Sequence, residues 1–151
     1  MGMIFEIDTL SFNIIDVLEL DQENVNTYNS GRNFSALSFR IESDAVLTTA
    51  TESYPLGDAF VAFVPAHLNY RRTAKKDKLI VIHFDIINYH AKTIEAFKAL
   101  EAETLTKLFL EILRVWNEKD IGYKYRCAAL LYDVLGECYR QNFKATDETS
   151  K

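Results

Sequence analysis

Asn33-Phe-Ser-Ala-Leu-Ser-Phe-Arg-Ile41 sets Leu37, Phe39 and Ile41 against Ser38 and Arg40. That two-residue alternation marks a strand with one buried face. Reading outward from it, Ala45-Val-Leu-Thr-Thr-Ala-Thr51 is rich in β-branched residues and predicts a second strand. Tyr54-Pro-Leu-Gly-Asp58 is a turn signal, in which Pro55 fixes its own φ and Gly57 is free to take a positive one. Ala59-Phe-Val-Ala-Phe-Val64 is an apolar run closed by Pro65, hence a short buried strand. Asn69-Tyr-Arg-Arg72, a polar turn over 73–77 and Lys78-Leu-Ile-Val-Ile-His-Phe84 read as a hairpin. Residues 34–86 are thus a run of short, closely spaced strands, the pattern of a sandwich or barrel.

Past Asp85 the period changes to that of a helix. Leu105, Leu108, Phe109, Ile112, Leu113 and Trp116 form one apolar stripe, with Thr104 or a residue just before it as the expected cap. Asp120-Ile-Gly122 interrupts the pattern, and Cys127, Leu130, Leu131, Val134, Leu135 and Cys138 begin a second stripe. A short break between two such helices predicts an antiparallel αα-hairpin.

The opening segment is the least regular. Ile4, Phe5, Ile7, Phe12, Ile14 and Ile15 fit short strands or an arm, and the polar run Asp21-Gln-Glu-Asn-Val-Asn-Thr-Tyr-Asn-Ser-Gly31 reads as a loop. Lys144-Ala-Thr-Asp-Glu-Thr-Ser-Lys151 has no apolar residue larger than Ala and reads as a disordered tail or a linker. The expected division is an arm with the first strands over 1–33, a barrel over 34–90, a helical region over 91–141 and a tail over 142–151. Strands first and helices second make this an α+β chain.

Composition narrows the functional classes. The 151 residues are 48% hydrophobic and 26% charged, an ordinary globular balance, with a net charge of −5. That charge argues against a nucleic-acid-binding surface. Residues 1–70 hold ten acidic side chains against two arginines, whereas 71–151 hold twelve against fifteen basic ones. The basic cluster Arg71-Arg-Thr-Ala-Lys-Lys-Asp-Lys78 reads as a solvated hairpin tip before it reads as a DNA contact. Cys127 and Cys138 lie too far apart along one helix for a disulfide, and no basic leader precedes an apolar run. A cytoplasmic setting without membrane contact is expected.

No His-x-His, Cys-x-x-Cys, nucleophile elbow or phosphate loop is present, so neither metal, cofactor nor catalytic residue is expected. Polar and aromatic residues on the strands remain: Arg40, Tyr54, Tyr70 and His83. They either line a cavity, where a few polar groups orient a ligand, or face solvent and the barrel interior as structural residues. On the second helix Tyr123, Tyr125, Tyr132 and Tyr139 widen the apolar surface beyond one stripe. Leu131, Tyr132, Leu135 and Tyr139 are therefore candidates for a dimer interface, although core packing accounts equally for the stripe.

Taken in order, Arg32-Asn-Phe-Ser-Ala-Leu-Ser-Phe-Arg-Ile41, Tyr54-Pro-Leu-Gly-Asp-Ala-Phe-Val-Ala-Phe-Val-Pro-Ala-His-Leu-Asn-Tyr70 and Ile82-His-Phe84 resemble the cupin-type sensor half of AraC-family transcription regulators. The stretch from Leu105 through Arg140 is similar to the helix pair that follows the barrel in these sensors. The resemblance implies a cupin-like double-stranded β-barrel over about residues 1–90 and an antiparallel helix pair over about 102–141. It implies a small-molecule effector (a sugar or small acid) in the barrel, and a homodimer formed through the helices. DNA would be bound only by a C-terminal helix-turn-helix domain that this chain does not contain. The chain then reads as a sensor domain ending in its linker, or as a freestanding sensor. The competing reading is a small metal-dependent cupin enzyme, an isomerase or dioxygenase.

Overall fold

The structure, a computed structural model, describes residues 4–150, with side chains described through Lys144. After a 3₁₀ turn at Ile4–Glu6 come β1 (Phe12–Asn29), β2 (Ser35–Thr48), β3 (Ser53–Gly57), β4 (Phe60–Val64), β5 (Tyr70–Ile86) and β6 (Glu95–Lys98). Two helices follow, α1 (Ala102–Glu118) and α2 (Tyr123–Ser150). The six strands form one antiparallel sheet in the order β1-β5-β2-β4-β6, with β3 on the other half of β2's edge. The α+β architecture expected from the periodicities is present, a barrel-like roll of strands beside a helix pair.

The strands are fewer and longer than the sequence pattern suggests. The polar run from Asp21 forms, through Asn29, the second half of β1, which pairs with β5 from Phe12 to Asn29. The expected hairpin over 69–84 is the single strand β5, and the two strands expected within 34–51 are the single strand β2. The reason is a corner that crosses all three. Inward-facing positions on β1 are even through Gln22 and odd from Thr27; on β2 they are even through Arg40 and odd at Leu47. On β5 they are even at Tyr70 and Arg72 and odd from Leu79 to His83. A two-residue period cannot survive such a change of parity, and β-bulges supply it.

Local chemistry permits the bend. Asn24 takes φ 52° in β1, a conformation that Asn tolerates better than most residues. The register of β2 against β5 shifts between Arg40 and Glu42 and again between Ser43 and Val46. Asp44 Oδ1 accepts the backbone N–H groups of Lys75 and Lys76 at 2.8 and 3.1 Å. At the β3–β4 connection the positive φ falls on Ala59 (66°) rather than on Gly57, which belongs to β3. Asp58 Oδ1 steadies that connection by accepting the Ser43 N–H at 2.7 Å.

Folded at the corner, the sheet has two faces with different work. Leu37, Phe39, Ile80, Ile82 and Phe84 turn outward to the helices and join Leu105, Phe109, Ile112 and Leu131 in the main core. Phe39 stacks on Phe109 with ring centroids 5.5 Å apart. The N-terminal segment is part of this core, since Ile4, Phe5 and Leu10 are buried in it. Ile4 N–H donates to the buried Glu95 Oε1 at 2.6 Å, and Tyr89 Oη donates to Oε2 of the same carboxyl. Desolvation raises the pKa of Glu95 despite those two donors. The sheet also extends beyond residue 90 through β6, which pairs with β4.

The helices run antiparallel, with Glu101 beside Arg140 and Gln141 at one end and Glu111 beside Arg126 at the other. Helix α1 starts without a side-chain cap of its own, and Thr104 lies inside it. The fully buried Gln141 replaces the cap, accepting the Glu101 N–H at 3.1 Å and donating to the Glu101 carbonyl at 3.1 Å. Where a tail was expected from residue 142, α2 continues to Ser150, in a stretch containing helix-favouring Lys, Ala and Glu. Lys151 lies outside the described residues.

Phe109→Ala should lower the unfolding free energy by about 3–5 kcal/mol. Leu110→Ala on the exposed side of α1 should change it by less than about 0.5 kcal/mol. Urea denaturation of the two variants checks this.

Candidate functional site

The inner face of the folded sheet lines an open-mouthed cavity of about 420 Å³. Arg40, Tyr70 and His83, three of the four residues singled out from the sequence, all line it. Arg40 and His83 stand on neighbouring strands, β2 and β5, on one side of the corner, and Tyr70 faces them from the other end of β5. Tyr54 lies one strand farther out, on β3 opposite Leu47, and lines a separate cleft with Thr49, His67 and Lys92. It packs at the edge of the smaller apolar cluster of Leu47, Leu56, Ala62, Tyr70 and Ile94.

Charge at the corner centres on Asp77, which is fully buried. Its Oδ1 lies 3.3 Å from Arg40 Nε and accepts the Ser43 hydroxyl at 2.8 Å. Its Oδ2 accepts Arg72 Nη1 at 2.8 Å and faces Arg40 Nη2 at 3.4 Å. Arg40 is only 3% exposed and spends a further donor on Ser38 Oγ. Burial lowers the Arg40 pKa, and the Asp77 charge and hydrogen bond oppose that shift. One carboxylate therefore serves two guanidinium groups, an arrangement that is expensive to break once it is out of water.

His83 occupies the opposite end. Its Nδ1 lies 2.7 Å from Asp16 Oδ1, and its ring centroid lies 4.6 Å from that of Phe34. Desolvation lowers the His83 pKa, while Asp16 works against that shift and Arg32 with it. Arg32 donates to Asn29 Oδ1 and stands 5.7 Å over the Phe34 ring. The walls between the two polar ends are apolar, with Leu18, Leu20, Val64, Leu79 and Val81.

Arg72, Asp77, Asp16 and Arg32 were not singled out in the sequence. Arg72 and Asp77 sit in the run that reads as a hairpin tip, yet Arg71-Arg-Thr-Ala-Lys-Lys-Asp-Lys78 contains no Gly, Pro or Asn. The missing turn formers were the available signal that this run stays extended. Asp16 was obscured by the register shift beside it, between Ile14 and Asp16.

The candidate dimer residues divide by burial. Leu131 is fully buried in the main core, because its position on α2 faces α1 and the sheet. It is thereby removed from any free surface. Tyr132 is 50% exposed, with its ring 4.5 Å from that of Phe12, and Leu135 and Tyr139 are half-buried beside it. Cys127 and Cys138 are free and buried, and burial raises both thiol pKa values. Among the described residues no three His, Cys, Asp or Glu gather as a metal would need, and no helix is long and apolar enough to cross a membrane.

No family model matches the chain, and no curated protein matches it. Among solved structures it is similar to the AraC-like transcriptional activator CuxR, at 10% identity and a TM-score of 0.58, over 83% of this chain and 52% of that one. At that identity the likeness establishes a common fold, and this chain spans about half of its neighbour's length. An IolB-like protein from Salmonella typhimurium matches at 14% identity and TM-score 0.42, over 59% of this chain and 36% of that one. ToxT from Vibrio cholerae matches at 14% identity and TM-score 0.37, over 70% and 37%. The last two are too distant in geometry to carry an argument.

Two outcomes follow from the cavity's charges. Asp77→Asn leaves two guanidinium groups at the corner without their carboxylate and should cost about 3–5 kcal/mol in a denaturant titration. For His83, the unfolded chain takes up a proton near pH 6.5, about the free value, whereas the folded chain takes it up only at lower pH. Its stabilising contribution is thus present above that pH and lost as pH falls through the folded value. Between about pH 7 and about pH 5 the melting temperature should fall more steeply for the native chain than for His83→Gln.

Proposed function

We propose that this chain is the effector-sensing and dimerisation domain of an AraC-type transcription regulator, working in the cytoplasm without catalysis, metal or cofactor. One observation carries the reading: a cavity lined by Arg40, Tyr70 and His83, inside a fold shared with an AraC-like activator. Its size falls within the range of small-molecule sites, about 300–1,000 Å³. Its mixture of apolar walls and a few polar groups is what such sites need to bind and orient a metabolite, whether a sugar or a small acid. DNA is contacted by a separate domain outside this chain, in keeping with a net charge of −5 here.

Two-faced strands provide the route from cavity to helices. On β2, Ser38 and Arg40 face inward while Leu37 and Phe39 face the helix pair, and Phe39 stacks on Phe109 of α1. An occupant that draws on the Arg40–Asp77–Arg72 cluster shifts a strand whose other side is packed against α1. Such an effector has to bind one arrangement of the helices better than another, and a coupling of about 1–3 kcal/mol is typical. The homodimer forms through α2, using Tyr132, Leu135 and Tyr139, with Tyr125 and Phe143 exposed farther along the helix.

Thermal-shift screening against sugars, polyols and small acids tests the sensor reading. A compound at a hundred times its Kd should stabilise the fold by about 2.7 kcal/mol, and Tyr70→Ala should abolish the shift. A screen with no stabilising compound sinks the reading. For the dimer, sedimentation velocity should show Tyr132→Glu as a lighter species than the native chain, and an unchanged coefficient removes α2 as the interface.

A further inference from the structure

We propose that the cavity selects an organic monocarboxylate with an apolar body, and that Arg72 is the residue that grips its carboxylate. The inference rests on the sensor reading above and narrows it to one ligand class.

Around Arg72 the carboxylate and amide acceptors of the cavity are already engaged. Asp77 receives Arg40, Arg72 and Ser43; Gln22 Oε1 receives Arg72 Nη2 at 2.6 Å; and Asn29 Oδ1 receives Arg32 at 2.5 Å. Asp16 Oδ1 faces the His83 ring nitrogen. Donors are in surplus, because hydrogen bonds to Asp77 and Gln22 leave Arg72 with N–H groups to spare. The ligand group seated against Arg72 is therefore an acceptor.

Formal charge points the same way. Arg32, Arg40 and Arg72 face Asp16 and Asp77, which leaves one positive charge uncompensated while His83 is neutral. One carboxylate balances it; a phosphate monoester, at about −1.5 to −2 near neutral pH, overshoots it. Arg72 is placed for the task and Arg40 is not. Arg40 is 3% exposed, while the Arg72 side chain retains 14% exposure at the cavity wall. A guanidinium already fixed by Asp77 and Gln22 loses little freedom on taking a carboxylate as a planar fork. Leu18, Leu20, Val64, Leu79 and Val81, with the Phe34 ring, then enclose the remainder of the molecule, which must be apolar.

Matched acids and amides isolate the carboxylate. Thermal shift and calorimetry on the 151-residue chain would compare benzoate with benzamide and hexanoate with hexanamide, alongside phenyl phosphate and glucose. The acids should raise the melting temperature while the amides, phosphate and sugar leave it in place. Arg72→Gln should weaken acid binding at least about tenfold, a loss of about 1.4 kcal/mol. Circular dichroism should show an unchanged fold, since Asp77 keeps Arg40. Stabilisation by glucose or the amides in place of the acids overturns the carboxylate class and leaves the sensor reading standing. Tighter binding of phenyl phosphate than of benzoate also overturns the class. No shift with any probe, together with an empty general screen, removes the cavity as a binding site and this inference with it. The acid–amide contrast in the native chain decides the class even if Arg72→Gln does not fold.

Discussion

Asp77 is the point on which the cavity depends. A carboxylate with no exposed surface has to be paired, and here it is paired twice, with Arg40 from β2 and Arg72 from its own strand. The two arginines lie on opposite sides of the corner in β5's pairing, so the cluster ties together the halves of the sheet that fold over one another. Like-charged guanidinium groups and their hydrogen-bond partners also occupy space that an apolar lining would have closed. The described residues contain no buried side-chain nitrogen or oxygen without a partner. The inner face is therefore satisfied and hollow, whereas the outer face of Leu, Ile, Val and Phe is packed against the helices.

This division follows from strands that carry different chemistry on alternate residues. Leu37, Phe39, Ile80 and Ile82 hold the sheet to α1 and α2, and Ser38, Arg40, Val81 and His83 between them face the cavity. Few side chains separate any occupant from the helix pair. Close-packed cores move as blocks rather than deforming continuously, so a change of hydrogen bonding at Asp77 has the Phe39–Phe109 stack as its nearest rigid neighbour. The N-terminal segment is tied to the same body by Glu95, whose carboxyl receives both the Ile4 amide and the Tyr89 hydroxyl.

Legibility followed local regularity. The alternation over 34–41, the apolar run before Pro65 and the two helical stripes each name their element without reference to the remainder of the chain. Arg40, Tyr70 and His83 were recognisable as polar or aromatic residues on such strands, and all three line the cavity. What was not legible lies at the corner. Parity changes on three strands at once, so residues 21–31 and 73–77 read as loops although 21–29 and 73–77 lie within the paired strands β1 and β5. Arg72 and Asp77 were lost in that misreading. Leu131 and Tyr132, adjacent in sequence, illustrate a related limit, because one is core and the other surface and only the direction of α2 against α1 separates them.

The sequence by itself determined the class of fold, the order of strands before helices and the apolar faces that hold them together. Those properties are periodic, and a period is written in neighbouring residues. The tertiary structure alone decided that the sheet bends, which inward residues meet across the bend, and that Asp77 sits between two arginines. Those pairings join residues 37 and 5 positions apart through a bulge that shifts register. No local pattern encodes a contact between strands, or one within β5 that requires its inward parity to change between Arg72 and Leu79.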